Sequence, residues 1–509
     1  MMKISLAFIV ALFLYGCSIQ QIAEKPTPKR LQSTDGGLIV RLAPNMADRQ
    51  RFYRWSNSLA VTRIAHGPNG TTEQFYVAQV KAGTSRSVVY ADALPPGIYR
   101  IDELPPPNGL CGPTVCSYSH VSIQQSIGQF EIKAGQLTDL GLIVESMASP
   151  RDMNVAVVHD SAVDHPETAE LVRIVAPNLV PLLEEPMLSW LSDAEMTNMP
   201  QAFAAVRAAS FGIQSPKDAG DGVVIYGSSN GVLYSWSQAE HRVGHYIGSA
   251  VTVEATLVAR DGRWLAGGEM GVLQISADRG RSWSSLKRNL PSGVIIDLNQ
   301  WRDQIIVTEV LDGSAFIYTS NLASSEDWKK ISQFSLDSTR EAEIEGAVPQ
   351  SFVVGDVLVV AFPGNHIAQI DLNSGEVAAY ALPGYLSSVD VSLDGVLYCR
   401  CTGFVGFRSY ESRDLGKTWQ PSKWPRGVLF PTFNLDGRHG VGAELAVLFG
   451  TKLVYTNDAG SSWMDSVSAP GFISHLFYNH DGTAAYATLG NADIWKTSDD
   501  GKTWERLPP

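Results

Sequence analysis

The sequence predicts an all-β protein: a seven-bladed β-propeller preceded by a small β-sandwich and a short, partly helical connector. Three observations predict it. Four C-terminal segments carry one pattern, Ser276 to Trp283, Ser412 to Trp419, Thr456 to Trp463 and Thr497 to Trp504. Each reads Ser or Thr, any residue, Asp, any residue, Gly, any residue, Ser or Thr, Trp. The last three tryptophans lie 44 and 41 residues apart, the length of one four-stranded blade. Ahead of the repeats, short alternating apolar runs broken by Gly and Pro mark a separate β-unit.

Taken in order, Met1 to Gly16 has the form of an export signal: Lys3 supplies a positive start and Ile4 to Leu14 a short apolar stretch. That stretch is too short for a stop-transfer helix. Residues 17–36 are polar and aperiodic, with Lys25, Pro26, Pro28, Lys29 and Arg30, and are expected to form a flexible tether. The runs Leu38–Leu42, Gln74–Ala78, Ser87–Tyr90 and Gln129–Lys133 place the sandwich at residues 37–147. Asp164-His165-Pro166-Glu167 and Ser192-Asp193-Ala194-Glu195 each open a helix, giving a connector over 148–204.

The propeller then occupies 205–509. Trp283 to Trp419 spans 136 residues, about three periods, and two weaker copies lie between: Thr319-Ser320-Asn321 running to Asp327-Trp328, and Ile370 to Val377. Gly231 to Ser235 matches the strand that precedes the first clear copy, which adds one more blade and brings the count to seven. Asp261-Gly262, Asp394-Gly395, Asp436-Gly437 and Asp481-Gly482 are expected as type I′ turns between the first two strands of their blades.

The repeated word is identified as the Asp-box, or BNR repeat, whose place is the turn between the third and fourth strands. Its residues are Ser276, Asp278, Gly280 and Trp283; Ser412, Asp414, Gly416 and Trp419; Thr456, Asp458, Gly460 and Trp463; Thr497, Asp499, Gly501 and Trp504. Each has a structural role. The Asp accepts backbone N–H groups of its own turn, the Gly takes a positive φ, and the Trp ring fills the space between blades. No catalytic role is assigned to these aspartates.

Up-and-down connectivity puts the second turns and the blade-to-blade linkers on the opposite face of the disc. Binding is expected there, because variable loops on a rigid scaffold carry function. Its loops are 228–231, 267–271, 363–366, 403–406 and 490–493, with the long linker 332–350. The candidate binding residues are Met270, Glu341, Glu343, Glu345, His366, Phe404, Trp424 and Arg426.

A net charge of −13 without a basic stripe argues against a nucleic-acid partner. Neither a cofactor nor a metal is expected. Cys111 and Cys116 enclose a Gly-Pro loop and are expected to form a disulfide. Cys399 and Cys401 are read as two buried thiols or a tight disulfide on one strand face, ahead of a metal pair.

Leu14-Tyr15-Gly16-Cys17 resembles the lipobox of bacterial lipoproteins, which implies acylation of Cys17. By the same resemblance Ser18 points to the outer membrane. Leu94 to Ile101 and Phe130 to Gly141 look like transthyretin-like or carboxypeptidase-regulatory-like sandwiches. The propeller is similar to sialidases and to photosystem II assembly factors, the latter more closely. The sialidase Arg-Ile-Pro motif is missing; the nearest string is Arg173-Ile174-Val175-Ala176-Pro177, in the connector. The expectation is a non-catalytic, membrane-anchored scaffold binding an envelope protein. The alternative is a glycan binder or glycoside hydrolase, with Trp424 stacking on sugar and Glu341 or Glu343 as acid and base.

Overall fold

The structure, a computed structural model, describes residues 28–45, 58–64, 72–80, 88–101, 103–104, 110–111, 116–117, 121–122, 128–149, 152–159, 166–191, 213–228, 231–249, 251–286, 293–311, 313–322, 328–336, 349–362, 364–403, 406–424, 428–446, 450–469, 471, 473–489 and 493–508. Cys17 and its leader, Glu341, Glu343, Glu345, Phe404, Arg426 and the Ser192 capping box lie outside these residues.

Seven four-stranded antiparallel sheets form the propeller, over residues 214–246, 253–285, 294–335, 350–381, 385–421, 428–469 and 473–506. Each takes four consecutive strands, so within the described residues no strand is exchanged between blades. The first strands of neighbouring blades pack on one another around the ring centre. Fourth strands such as His241–Tyr246 and Lys329–Ser335 have no buried position and lie at the rim. Burial on both sides explains the middle strands: Val357–Ala361 and Ala485–Leu489 lose the apolar/polar alternation, as a strand flanked by two blades must.

The Asp-Gly turns stand where expected but not as type I′. Only the glycines have positive φ, 86° at Gly262, 81° at Gly395, 62° at Gly437 and 72° at Gly482. Gly262 N–H donates to Ala259 O at 2.8 Å, and Ala259 N–H to Arg263 O at 2.8 Å. This is a type I turn followed by a left-handed glycine, the three-residue loop that also suits strand twist. The Asp side chain explains the choice: it accepts the N–H two residues on, as Asp481 does from Thr483 at 3.0 Å, and this needs no positive φ at the Asp.

The N-terminal unit, the one expected as a sandwich, is an eight-stranded sheet of β1 (Gly36–Asn45), β2 (Ser58–Ile64), β3 (Glu73–Val80), β4 (Val88–Leu94), β5 (Gly97–Arg100), β10 (Gln129–Ile132), β11 (Leu137–Ser149) and β12 (Asp152–His159), with the short strands β6 (Glu103–Leu104), β7 (Leu110–Cys111), β8 (Cys116–Ser117) and β9 (Val121–Ser122) in two further pairs. Strand order is β10-β5-β2-β3-β4-β1-β11-β12, with β1 and β11 parallel. Side chains from both halves of this ribbon, among them Leu59, Tyr99, Phe130, Leu38, Tyr90 and Leu140, share one core. The sheet runs past residue 147, because Val155 to Val158 continue the β-branched pattern and pair with β11 as far as Ile143↔His159. Cys111 and Cys116 are directly opposed in the β7–β8 ladder.

The connector holds one α-helix, α1 (Pro166–Val175), which starts at the proline as the sequence predicts, and a 3₁₀ helix (Pro177–Glu184). Its Leu171, Val172, Leu179 and Leu182 lie between the outer sandwich face (Ile39, Val89, Ala91) and blade 3 (Leu311, Phe316, Tyr318). Each such leucine, withdrawn from water, stabilises the joint by about 1.5–3 kcal/mol. Thr168 Oγ1 donates to Asp139 Oδ2 at 2.6 Å, and Asp139 also pairs with buried Arg41 at 3.2 Å. The end of the expected tether is docked too: Lys29 N–H donates to buried Asp92 at 2.7 Å, and Asn178 Nδ2 donates to Lys29 O at 3.0 Å.

The ring closes between blades 7 and 1 by side chains. Val224, Tyr226 and Trp236 pack on Tyr486, Ile494 and Leu507. Trp236 Nε1 donates to Pro508 O at 3.0 Å, and the His480 ring meets Asp218 Oδ2 at 2.6 Å.

One substitution pair tests how tightly the blades are pressed together. Gly460 has φ +79° and an added Cβ would sit 2.5 Å from Trp424 of the preceding blade, whereas Gly375 has φ +77° and open space around it. Gly375→Ala is expected to cost about 1 kcal/mol, the left-handed backbone alone, and Gly460→Ala about 2–4 kcal/mol, read from denaturant midpoints.

Candidate functional site

The four turns expected as Asp-boxes have one geometry. In the first, Ser282 N–H donates to Asp278 Oδ1 at 2.8 Å, Ser282 Oγ to Oδ2 at 2.6 Å, and Ser276 Oγ to Oδ1 at 2.8 Å. Gly280 N–H donates to Ser276 Oγ at 2.7 Å, and Trp283 Nε1 to Gly280 O at 3.1 Å. The same set surrounds Asp414, Asp458 and Asp499, with one exception: Trp463 Nε1 makes no hydrogen bond with the described residues. Two successive residues are left-handed, Arg279 and Gly280 at 59° and 86°, and the pairs Leu415-Gly416, Ala459-Gly460 and Asp500-Gly501 repeat this.

These carboxylates are held ionised. The Ser282 hydroxyl, its N–H and Ser276 bring Asp278 down to about 2, and the Ser462 and Thr456 bonds do the same for Asp458. At Asp414 and Asp499 burial pushes upward, and the turn's hydrogen bonds outweigh it. A carboxylate saturated by its own turn is a poor proton donor at neutral pH.

On the opposite face, the structure separates the expected binding residues. Met270 lies in a 3₁₀ turn (Glu269–Gly271) at φ 54°, 8% exposed, and β1 of the sandwich runs across that turn. With Leu311 and Phe316 under the connector, the loop face of blades 2 and 3 is covered. Trp424 is 8% exposed, its ring 4.8 Å from Tyr398 and 5.8 Å from Phe433 and pressed on Gly460. It is a wedge between blades 5 and 6 and offers no sugar platform. His366, at the start of its strand, is exposed, and Tyr385 at the mouth of the ring is 51% exposed. Both lie at the loop-face end of blades 4 and 5, which among the described residues contribute nothing to the apolar joint with the connector.

Sequence reasoning missed the ring centre. Lys217 on the first strand of blade 1 acts on both Asp297 of blade 3 and Asp390 of blade 5, an influence that reaches them across the middle of the ring. Asp297 is bonded at both oxygens: Leu298 N–H donates to Oδ1 at 2.9 Å, and Ser351 N–H and Oγ donate to Oδ2 at 2.9 and 2.8 Å. It thereby ties blade 3 to blade 4. Burial raises its pKa against these bonds and Lys217. Among the described residues Asp390 accepts Val391 N–H at 3.0 Å, and burial pushes it up to about 7. The signal was present in sequence, since Val294-Ile295-Ile296-Asp297-Leu298 and Ser388-Val389-Asp390-Val391 each place one acid inside an apolar strand. Asp297 is thus taken up as a staple between blades 3 and 4. The described residues contain no group of three or more His, Cys, Asp and Glu able to hold a metal ion.

No family model matches the chain, and no curated protein is similar to it. Solved structures of similar fold include YCF48 bound to D1 peptide, at 14% identity and TM-score 0.44 over 56% of this chain and 92% of that one. Another is in the mitotic checkpoint complex, at 10% identity and TM-score 0.41 over 55% and 88%. A third is the Myceliophteria thermophila Cps50 (Swd1) β-propeller domain, at 13% identity and TM-score 0.40 over 56% and 96%.

Asp390 gives the ring a distinct pH dependence. Its folded pKa of about 7 lies above its ordinary value of 3.8, so its contribution is present below 3.8 and is lost as pH rises through 7. Asp390→Asn is expected to flatten that fall: relative to wild type, its thermal midpoint rises between pH 4 and pH 8. A constant difference across this range would contradict the assignment.

Proposed function

We propose that the chain is a membrane-anchored envelope lipoprotein, acylated at Cys17, that acts as a non-catalytic scaffold. It holds a protein partner on the loop face of blades 4 to 7. One observation carries the reading: the repeated acids are committed to their own turns, while the sandwich and connector cover blades 2 and 3 and leave His366 and Tyr385 exposed beside the ring mouth. A rigid ring with one covered and one uncovered arc presents loops to a partner in a fixed direction. The lipid anchor and the outer-membrane location rest on the Leu14 to Ser18 sequence. The D1 peptide seen with YCF48 is a property of that protein.

Crosslinking and pull-down of the lipidated protein from its own envelope tests the scaffold reading. A defined protein partner is expected, and its recovery falls about tenfold in His366→Ala/Tyr385→Ala, corresponding to ~1.4 kcal/mol of lost binding. Lys502→Ala, on the Asp-box face, leaves recovery unchanged. Recovery of no specific protein, or equal loss in both variants, counts against the scaffold. Separately, Cys17→Ser is expected to release the protein from the membrane fraction.

A further inference from the structure

Cys399 and Cys401 take no part in the repeat, the ring centre or the uncovered loop face. They stand two positions apart on the second strand of blade 5 (Leu397–Gly403), so both side chains leave the same face. That face is pressed against Val359, Ala361 and Ile367 of blade 4, and the two cysteines are 2% and 1% exposed. Both are free thiols, and their Sγ atoms are 2.6 Å apart.

Three features of this placement bear on what the pair can do. A bonded pair sits at about 2.05 Å, so about 0.5 Å of side-chain movement closes the gap. Strand Cα atoms two residues apart are separated by about 6.6 Å, inside the upper limit of about 6.8 Å for a disulfide. The surroundings are apolar, and no third metal-ligating side chain joins the pair among the described residues.

We propose that Cys399 and Cys401 are the site of a reversible intrastrand disulfide, formed by exchange with a small organic disulfide at the seam between blades 4 and 5. One cysteine thiolate attacks the disulfide R–S–S–R and expels RS⁻, leaving a mixed disulfide on the protein. The second thiolate attacks the protein sulfur of that mixed disulfide and expels the other RS⁻. In sum, two protein thiols are oxidised, one R–S–S–R is reduced to two R–SH, and the two thiol protons end on the released thiols.

Burial decides when the exchange runs. It pushes the Cys399 thiol far above the ordinary range, and the neighbouring Cys401 pushes the same way, so thiolate is scarce in the closed ring. Exchange therefore belongs to folding, or to opening of the blade 4–5 seam, and either redox state is retained once the seam closes. Nothing in this depends on the lipid anchor or on a partner.

The test uses the full chain and a cleavage site that the sequence places between the two sulfurs. Trypsin cuts after Arg400, and Arg340 and Arg408 are the flanking sites, giving peptides 341–400 and 401–408. The protein is held with oxidised glutathione in urea just below its unfolding midpoint, returned to buffer, then denatured and alkylated before digestion. The expected result is the two peptides joined without alkylation, or the uncut 341–408 span about 2 Da lighter than its dithiol form. Cys401→Ser abolishes both species. In the returned protein, dithiothreitol is expected to reduce the bond at least about tenfold more slowly than in denaturant, because the seam shields it. Full alkylation of both cysteines, or a single glutathione adduct on either, would overturn the proposal.

Discussion

The Asp-box turn is the contact on which the ring depends, because it acts in two directions. Inward, one carboxylate takes an N–H and two hydroxyls from its own turn and fixes two successive left-handed residues, as at Arg279 and Gly280. Outward, the turn so shaped is gripped by the blade before it. His245 of blade 1 meets Gly280 O at 3.1 Å, and Gln369 Nε2 of blade 4 donates to Leu415 O at 2.9 Å. Ser466 of blade 6 donates to Lys502 O at 2.9 Å, and Trp424 lies on Gly460 with no room for a Cβ. A turn that holds its own shape can serve as a fixed surface for its neighbour, and the repeat propagates that contact around the disc.

Inner and outer parts of the disc use different chemistry. Toward the rim, the carboxylates of these turns are exposed or half-buried and remain ionised, held by the hydroxyls and N–H groups of their own turns. At the centre, Asp297 and Asp390 are enclosed by first strands, where only specific bonds or the remote Lys217 offset the loss of water. Asp297 has those bonds and links two blades; Asp390 lacks most of them and titrates near neutrality. The sandwich adds an asymmetry that the propeller lacks: α1 fills the joint to blade 3 and closes one arc of the loop face.

Much of this was legible in sequence where the pattern is local. The Asp-box fixes residue types at fixed offsets, so its hydrogen bonds follow from spacing alone, and even the degenerate copy at Asp371 keeps its turn, with Ser374 N–H donating at 2.8 Å. The start of α1 at Pro166 and the shared face of Cys399 and Cys401 follow from equally short rules. What was not legible depends on which blade meets which. Trp424 reads as a loop tryptophan until blades 5 and 6 close on it, and Met270 as an exposed loop residue until the sandwich crosses it. The Asp-Gly turns read as type I′ because the dipeptide suits both forms, and the Asp side-chain bond decided between them.

Native-state hydrogen exchange of Asp278→Ala tests most directly whether the Asp-box holds neighbouring blades together. The account predicts that protection falls in two places at once, in the blade 2 strands that flank the turn and in the blade 1 strand His241–Tyr246 that grips Gly280, while blades 4 to 6 stay as in wild type. Loss confined to the amides of the turn itself, with His241–Tyr246 unchanged, would contradict it.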